Sequence, residues 1–429
     1  MNFIEELRWR GMLQDMIPGL EDQLAKEMTV AYIGFDPTAP SLHIGNLAAI
    51  MLLKHFQLCG HKPIALVGGA TGMIGDPSGK AAEREFLSED TLRANQIGIQ
   101  KQLEKFLEFH AGANSAEVVN NYDWFKEFSF LGFLREAGKF LTVNYMMSKD
   151  SVKKRLETGI SFTEFSYQLL QGYDFYHLYK TKNVRLQMGG SDQWGNITTG
   201  TEIIRRKEGH DEDATERAAF ALTTPLVTKA DGTKFGKSES GNVWLDAEKT
   251  SPYAFYQFWL NAADADVPRL IRVFTLYTKD QIADLEKQHA EAPHLRILQK
   301  AVAEEVTTRV HGAEVCALVI EASTLLFSKD AVELIAGASD ALLGQLPIHE
   351  VSAELLGDCK NLTDLISVGT DNLIFPSKGE ARKAIQNNAI SVNKVKVTDP
   401  NAALDFEKIR GQYLLVGNGK QKNYILSFK

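Results

Sequence analysis

Val30-Ala31-Tyr32-Ile33-Gly34-Phe35-Asp36-Pro37-Thr38-Ala39-Pro40-Ser41-Leu42-His43-Ile44-Gly45-Asn46 reads as a strand, a loop and the start of a helix. Residues 30–35 form a short, mostly apolar run, as a parallel strand covered on both faces requires. Asp36-Pro37 and Pro40-Ser41 stop it, because proline lacks an amide donor and restricts the residue before it. From Leu42 the apolar positions fall at 42, 47, 50, 51 and 53, a helical spacing, with Ser41 as the expected N-cap. Open α/β sheets hold ligands beyond the carboxyl ends of their strands, and a helix starting there aims its amides at an anion. His43, Gly45 and Asn46 fall on that first turn.

The order of strand, loop and helix continues downstream. Residues 63–67 read as a second buried strand, followed by Gly68-Gly69-Ala70-Thr71-Gly72-Met73-Ile74-Gly75-Asp76-Pro77-Ser78-Gly79-Lys80. This is not a Walker loop, since Ile74 stands where its first glycine belongs and Ala81 follows the lysine. Its glycine spacing also differs from the dinucleotide fingerprint. What remains is a glycine-rich strand end that a ligand can approach, closed by Asp76. Residues 87–109 read as a charged helix, 120–124 end a third strand, and 162–179 form a helix with an apolar stripe. Tyr167, Gln171 and Asp174, at i, i+4 and i+7, share one face of that helix. Residues 184–188 are a strand ending in Gly189-Gly190-Ser191-Asp192-Gln193-Trp194-Gly195-Asn196. The alternation over 30–225 predicts a parallel α/β sheet, with residues 1–29 as a leading helix.

A glycine-flanked loop then carries Lys234-Phe235-Gly236-Lys237-Ser238, whose two lysines can swing onto one phosphate chain. Ser251 before Pro252 is a firm helix start. The expected organisation is a catalytic domain at 1–228, a mobile loop and linker at 229–250, and an all-α domain at 251–345. A linker at 346–359 and a small α+β domain at 360–429 complete it. In the last segment Ser377 and Glu380 suggest a capping box, Lys378, Arg382 and Lys383 lie on nearby turns, and 390–397 alternates as a strand.

The totals restrict the function class. A chain of 429 residues implies two or three domains, and 44% hydrophobic with 24% charged residues is ordinary for a globular protein. No run is apolar enough to span a bilayer, and the charged first residues lack a signal-peptide core. The three cysteines are too scattered for a disulfide framework or a zinc site, so a cytoplasmic setting is expected. The net charge is −8, yet residues 361–429 carry ten Lys/Arg against six Asp/Glu, leaving −12 on the rest. A basic tail on an acidic body suits a local polyanion contact.

Residues 37–46 and 234–238 resemble the HIGH and KMSKS signatures of class I aminoacyl-tRNA synthetases, and the whole chain resembles the bacterial tyrosyl-tRNA synthetase family. Asn46 replaces the second His of HIGH, Phe235 and Gly236 replace Met and Ser of KMSKS, and both lysines are kept. The resemblance implies a Rossmann-like nucleotide-binding domain, an all-α domain and a C-terminal domain similar to the S-four RNA-binding domain. It implies attack of the tyrosine carboxylate on the α-phosphorus of ATP, then transfer of tyrosine to tRNA. Thr38, His43, Lys234 and Lys237 would stabilise the phosphates, with magnesium arriving on ATP and no tightly bound protein metal site.

By the same resemblance Asp76, Tyr167 and Gln171 bind the α-amino group, Tyr32 and Asp174 the phenolic hydroxyl, and Gln193 lies near the carboxylate. Asp36, Gly45, Asn46, Asp192, Lys237 and Ser238 bind ATP; Ile33 stands where many relatives have a polar ribose contact. Lys378, Arg382 and Lys383 bind RNA. The partners implied are L-tyrosine, ATP, tRNA(Tyr) and a second copy of the chain, contacting near 121–140, with no membrane. Two alternatives stay open: a tryptophanyl enzyme, and an RNA-binding factor built on a disused synthetase body.

Overall fold

The strand expected at 30–35 is the second of six in one sheet. In chain order these are β1 (Asp15–Met16), β2 (Val30–Phe35), β3 (Lys62–Val67), β4 (Glu117–Asn120), β5 (Val184–Gly190) and β6 (Phe220–Thr224). Their spatial order is β1-β6-β5-β2-β3-β4, all parallel except β1, which pairs antiparallel with β6. The computed structural model describes residues 1–76, 88–157, 159–209, 219–230, 232–233, 235–238, 241–419 and 422–428. The chain forms two compact units: Met1–Lys249 with Asn261–Val302, and Thr250–Leu260 with Ala303–Lys429.

In the first unit β2 lies between β3 and β5, so the chain leaves β2 to one side and returns on the other. That reversal opens a crevice at the carboxyl ends of β2 and β5. The long helix Phe162–Lys182 starts at Ser161, whose side chain accepts from the Glu164 amide, and buries Tyr167, Leu169, Tyr173, Asp174, Phe175 and Leu178. Val30, Tyr32, Ile64 and Leu66 share a core with Phe175, Leu178 and Val184. One side chain ties a later helix, Val267–Phe274, to this body. Arg10, 3% exposed, donates to the carbonyls of Arg272, Thr275 and Tyr277 at 2.7, 2.9 and 2.8 Å. That caps the helix carboxyl end with a cation.

Some local expectations are corrected. Residues 1–29 are two helices, Phe3–Arg10 and Leu20–Lys26, with β1 between them, because Gly11 closes the first in left-handed backbone. The N-cap of the helix Ile44–Leu58 is His43, not Ser41. Leu42 and His43 are held extended by the chain opposite: Leu245 donates its amide to Leu42, Ile44 to Val243, and His43 bridges Trp244. The Ser41 hydroxyl instead donates to the Leu42 carbonyl and accepts from Gln102.

The second unit joins helices to a five-stranded sheet. Ala322, Leu325 and Leu326 of the helix Ala313–Phe327 share a core with Ile409, Leu415 and Ile425. After the short ladder β7 (Lys237–Ser238) and β8 (Gly241–Asn242) of the first unit, the remaining strands are β9 (Ile348–Val351), β10 (Ile390–Val392), β11 (Val395–Lys396), β12 (Tyr413–Asn418) and β13 (Lys422–Phe428). The stretch 346–359, expected as a linker, thus contributes β9, which pairs parallel with β13. The expected strand 390–397 is a hairpin, since Asn393 and Lys394 take φ of 48° and 67°, the turn that joins antiparallel strands in two residues. Ser251 and Ser377 cap their helices as expected.

Candidate active site

The crevice is floored by a chain of buried polar groups. Asp36, just past β2, accepts the Thr71 hydroxyl at 2.8 Å and the Tyr167 hydroxyl at 2.9 Å. Gly68, the residue after β3, has no room for a side chain because an added methyl would fall on Asp36 Oδ1 and Thr71 Oγ1. Asn121, fully buried just past β4, donates Nδ2 to Thr71 Oγ1 at 3.1 Å and to Asp174 Oδ2 at 3.0 Å, and accepts the Ala70 amide at 2.7 Å. The Trp124 indole donates to Asp174 Oδ1 at 2.9 Å. Both oxygens of Asp174 are therefore held.

Tyr32 lies 1% exposed on β2, its ring edge-on to Phe175 at 5.5 Å. Its hydroxyl is buried with no hydrogen-bond partner among the described residues. Burial, helped by the negative charge of Asp174, pushes the Tyr32 hydroxyl well above the usual tyrosine range, so it stays protonated. Burial likewise raises the Asp174 carboxyl well above the carboxylate range, while Asn121 and Trp124 pull the other way. Tyr167 is raised by burial and by the charge of Asp36.

A second cluster stands beside the first. Asp76 accepts Gln193 Nε2 at 2.7 Å and Asn196 Nδ2 at 3.4 Å. Gln193 Oε1 accepts from Asn196 at 3.3 Å and from Gln171 at 3.5 Å. Gln171 Oε1 is buried without a partner among the described residues. The Asp76 carboxylate with the Gln171 amide oxygen suits an ammonium group, and an unpaired hydroxyl beside a held carboxylate suits a second hydroxyl.

The HIGH-like turn adjoins these groups in sequence. His43 sits edge-on to Trp244 at 5.8 Å, and its amide donates to Asn46 Oδ1 at 3.1 Å. Asn46 thus serves as a helix cap, the reciprocal half of a capping box. Thr38, Gly45 and Asp192 are exposed. Gly236 takes φ of 92°, and a methyl built on it would lie 3.0 Å from the Gly45 amide nitrogen, so the loop backbone rests on the helix start. The Val243 amide donates to Gly236 O at 3.0 Å. Lys234 lies outside the described residues; Lys237 and Ser238 are placed by their backbone, Lys237 opposite Asn242 and Ser238 opposite Gly241.

Sequence order, two signature loops and this floor meet in one unit. The description "tRNA synthetases class I (W and Y)" matches residues 24–328, and "Tyrosine--tRNA ligase SYY-like C-terminal domain" matches 344–427. A tyrosine–tRNA ligase of Cytophaga hutchinsonii is 60% identical over 431 residues, spanning 100% of this chain and 99% of that one. The chain belongs to the tyrosine–tRNA ligase family. Another such ligase, from Porphyromonas gingivalis, is 56% identical over 436 residues and 99% of both chains. Among solved structures, a C-terminally truncated mitochondrial tyrosyl-tRNA synthetase of Coccidioides posadasii aligns with a TM-score of 0.66 at 31% identity, covering 75% of this chain and 91% of that one.

Against the tyrosine–tRNA ligase expectation, the structure gathers Tyr32, Asp174, Tyr167, Gln171, Asp76 and Gln193 into the two clusters described. Asp36, expected on the nucleotide, accepts the Tyr167 and Thr71 hydroxyls. Sequence reasoning did not single out Thr71, Asn121, Trp124 or Asn196. The signal for Asn121 and Trp124 was position: polar groups directly after a parallel strand stand at the ligand edge of the sheet. In the other unit Lys378 forms an ion pair with Asp364 at 2.7 Å, whereas Arg382 and Lys383 are exposed on the helix Lys378–Gln386.

Among the described residues there is no cluster of metal-binding side chains, and no helix is long and apolar enough to cross a membrane.

Proposed function

We propose that this chain, in the bacterial cytoplasm, joins L-tyrosine to tRNA(Tyr) in two steps. A tyrosine carboxylate oxygen attacks the α-phosphorus of ATP, the bond to the bridging oxygen breaks, and pyrophosphate leaves. A terminal ribose hydroxyl of the tRNA then attacks the tyrosyl carbonyl, and AMP departs. The carboxylate is already ionised, so the first step needs no general base. Catalysis is positioning plus neutralisation of growing phosphate charge by Thr38, His43, Lys234 and Lys237. Gly45, Asp192 and Ser238 complete the nucleotide contacts. Magnesium enters as the ATP complex: Thr38, His43 and the lysines are donors, which suits phosphate oxygens rather than a bare cation.

One observation carries the choice of tyrosine: the unpaired, buried Tyr32 hydroxyl beside an Asp174 carboxylate that Asn121 and Trp124 hold. A substrate hydroxyl would pair with these groups; phenylalanine would strand them. Tyrosyl-tRNA synthetases are the known case of such discrimination without editing. The α-amino group would enter between Asp76, Tyr167 and Gln171. Pyrophosphate exchange supported by tyrosine, and not by tryptophan or phenylalanine, is the expected result. Exchange with tryptophan would favour the tryptophanyl reading, and none with any of the three would leave only an RNA-binding role.

A further inference from the structure

The loop resembling KMSKS departs from that signature at two adjacent positions, and each departing residue makes a packing contact. Phe235 is 9% exposed, and its ring stacks on Phe274 with centroids 5.7 Å apart and planes 25° from parallel. Phe274 ends the helix Val267–Phe274, whose carboxyl end Arg10 caps. The stretch leading to Phe235 is fastened to the same helix region twice more. Arg269 donates to the Leu226 carbonyl at 2.8 Å, and Asp266 accepts the Ala230 amide at 2.7 Å. With its neighbour so anchored, Gly236 rests on the first turn of the helix that bears His43. A serine there would need left-handed backbone and would crowd the Gly45 amide.

We infer that Phe235 is a positioning residue for adenylate formation: its ring, seated on Phe274, sets the loop backbone at Gly236 against the His43 turn. The phenyl ring and the missing side chain are then parts of one device. The inference rests on the reading of 234–238 as the loop that meets the phosphates of ATP.

The test is pyrophosphate exchange by the purified full chain, with ATP and tyrosine varied separately. Phe235→Ala and Phe274→Ala are each expected to lower kcat about tenfold and to raise the KM for ATP, with the KM for tyrosine unmoved, since about 1 Å of misplacement can cost 10²-fold. Combining them is expected to cost no more than either alone, as two halves of one contact require. Phe235→Met, which restores an apolar anchor, is expected to recover most of the activity. Gly236→Ser, which leaves both rings in place, is expected to give the same ATP-side loss and guards against an alanine variant that fails to fold. If Lys237→Ala loses exchange while folded Phe235→Ala and Phe274→Ala both keep parental kcat and ATP KM, the inference is overturned, whatever Gly236→Ser does. If Lys237→Ala itself keeps parental exchange, the reading of the loop falls instead.

Discussion

A hydroxyl buried without a partner costs about 1–3 kcal/mol, so the Tyr32 hydroxyl is a local cost to stability. Tyr32→Phe is therefore expected to raise the melting temperature of the ligand-free protein while weakening tyrosine and narrowing its advantage over phenylalanine. Unchanged melting and unchanged discrimination would count against a role for that hydroxyl. Trp124→Phe removes the indole donor to Asp174 while keeping an aromatic ring against His177. A hydrogen bond to a charged group is worth about 1.5–3 kcal/mol, so the KM for tyrosine is expected to rise about 10- to 100-fold, measured by exchange. Asp174 also sets a pH dependence. Its carboxyl is raised by burial, so the folded protein holds this proton to higher pH than the unfolded chain does. Stability from this group is full below the ordinary carboxylate pKa and declines as pH rises through the raised one. Asp174→Asn is expected to remove that decline in a melting-temperature series against pH. The tyrosine KM of the parent runs the opposite way, rising as acid protonates the acceptor.

The elements that hold these residues were legible where packing and spacing decide them. Buried runs marked β2, β3 and β5, and the i, i+4, i+7 spacing placed Tyr167, Gln171 and Asp174 on one face. Contacts between segments distant in sequence were not legible. Nothing near Ser41 announces that Val243 to Leu245 will hold Leu42 and His43 extended and move the cap to His43. Likewise β9 reads as a linker because its four residues gain their ladder only from β13, far along the chain. Asn121 was visible as a residue but not as the hub between Thr71 and Asp174, a role created by the neighbouring strand ends. At this scale Gly68 is the sharpest probe. Gly68→Ala puts a methyl onto the Asp36–Thr71 pair, so tyrosine-dependent exchange is expected to drop at least tenfold while circular dichroism stays native. Parental exchange would show that the Asp36–Thr71 link is dispensable.

At the level of the whole molecule, we propose partners for two surfaces. Residues 130–162 expose Phe130, Leu131, Val143, Met147 and Phe162, with Phe130 and Phe162 about two-thirds exposed. On the helix Phe130–Glu136, Phe133 packs on Phe125, Phe128 and Tyr173, which leaves Phe130 and Leu131 outward. Exposed apolar side chains concentrated in one short stretch suit an interface, and we propose a second copy as the occupant. Phe162→Asp is expected to shift the protein from dimer to monomer in analytical ultracentrifugation; a monomeric parent would refute the assembly. The other surface is the helix Lys378–Gln386. Because Lys378 already pairs with Asp364, its removal subtracts less from a phosphate contact than removal of the exposed Arg382 and Lys383. Arg382→Gln with Lys383→Gln is therefore expected to weaken tRNA charging and flatten its salt dependence, leave pyrophosphate exchange at the parental rate, and exceed the effect of Lys378→Gln. An equal loss of exchange would mean that this helix acts on the adenylate step and not on the RNA.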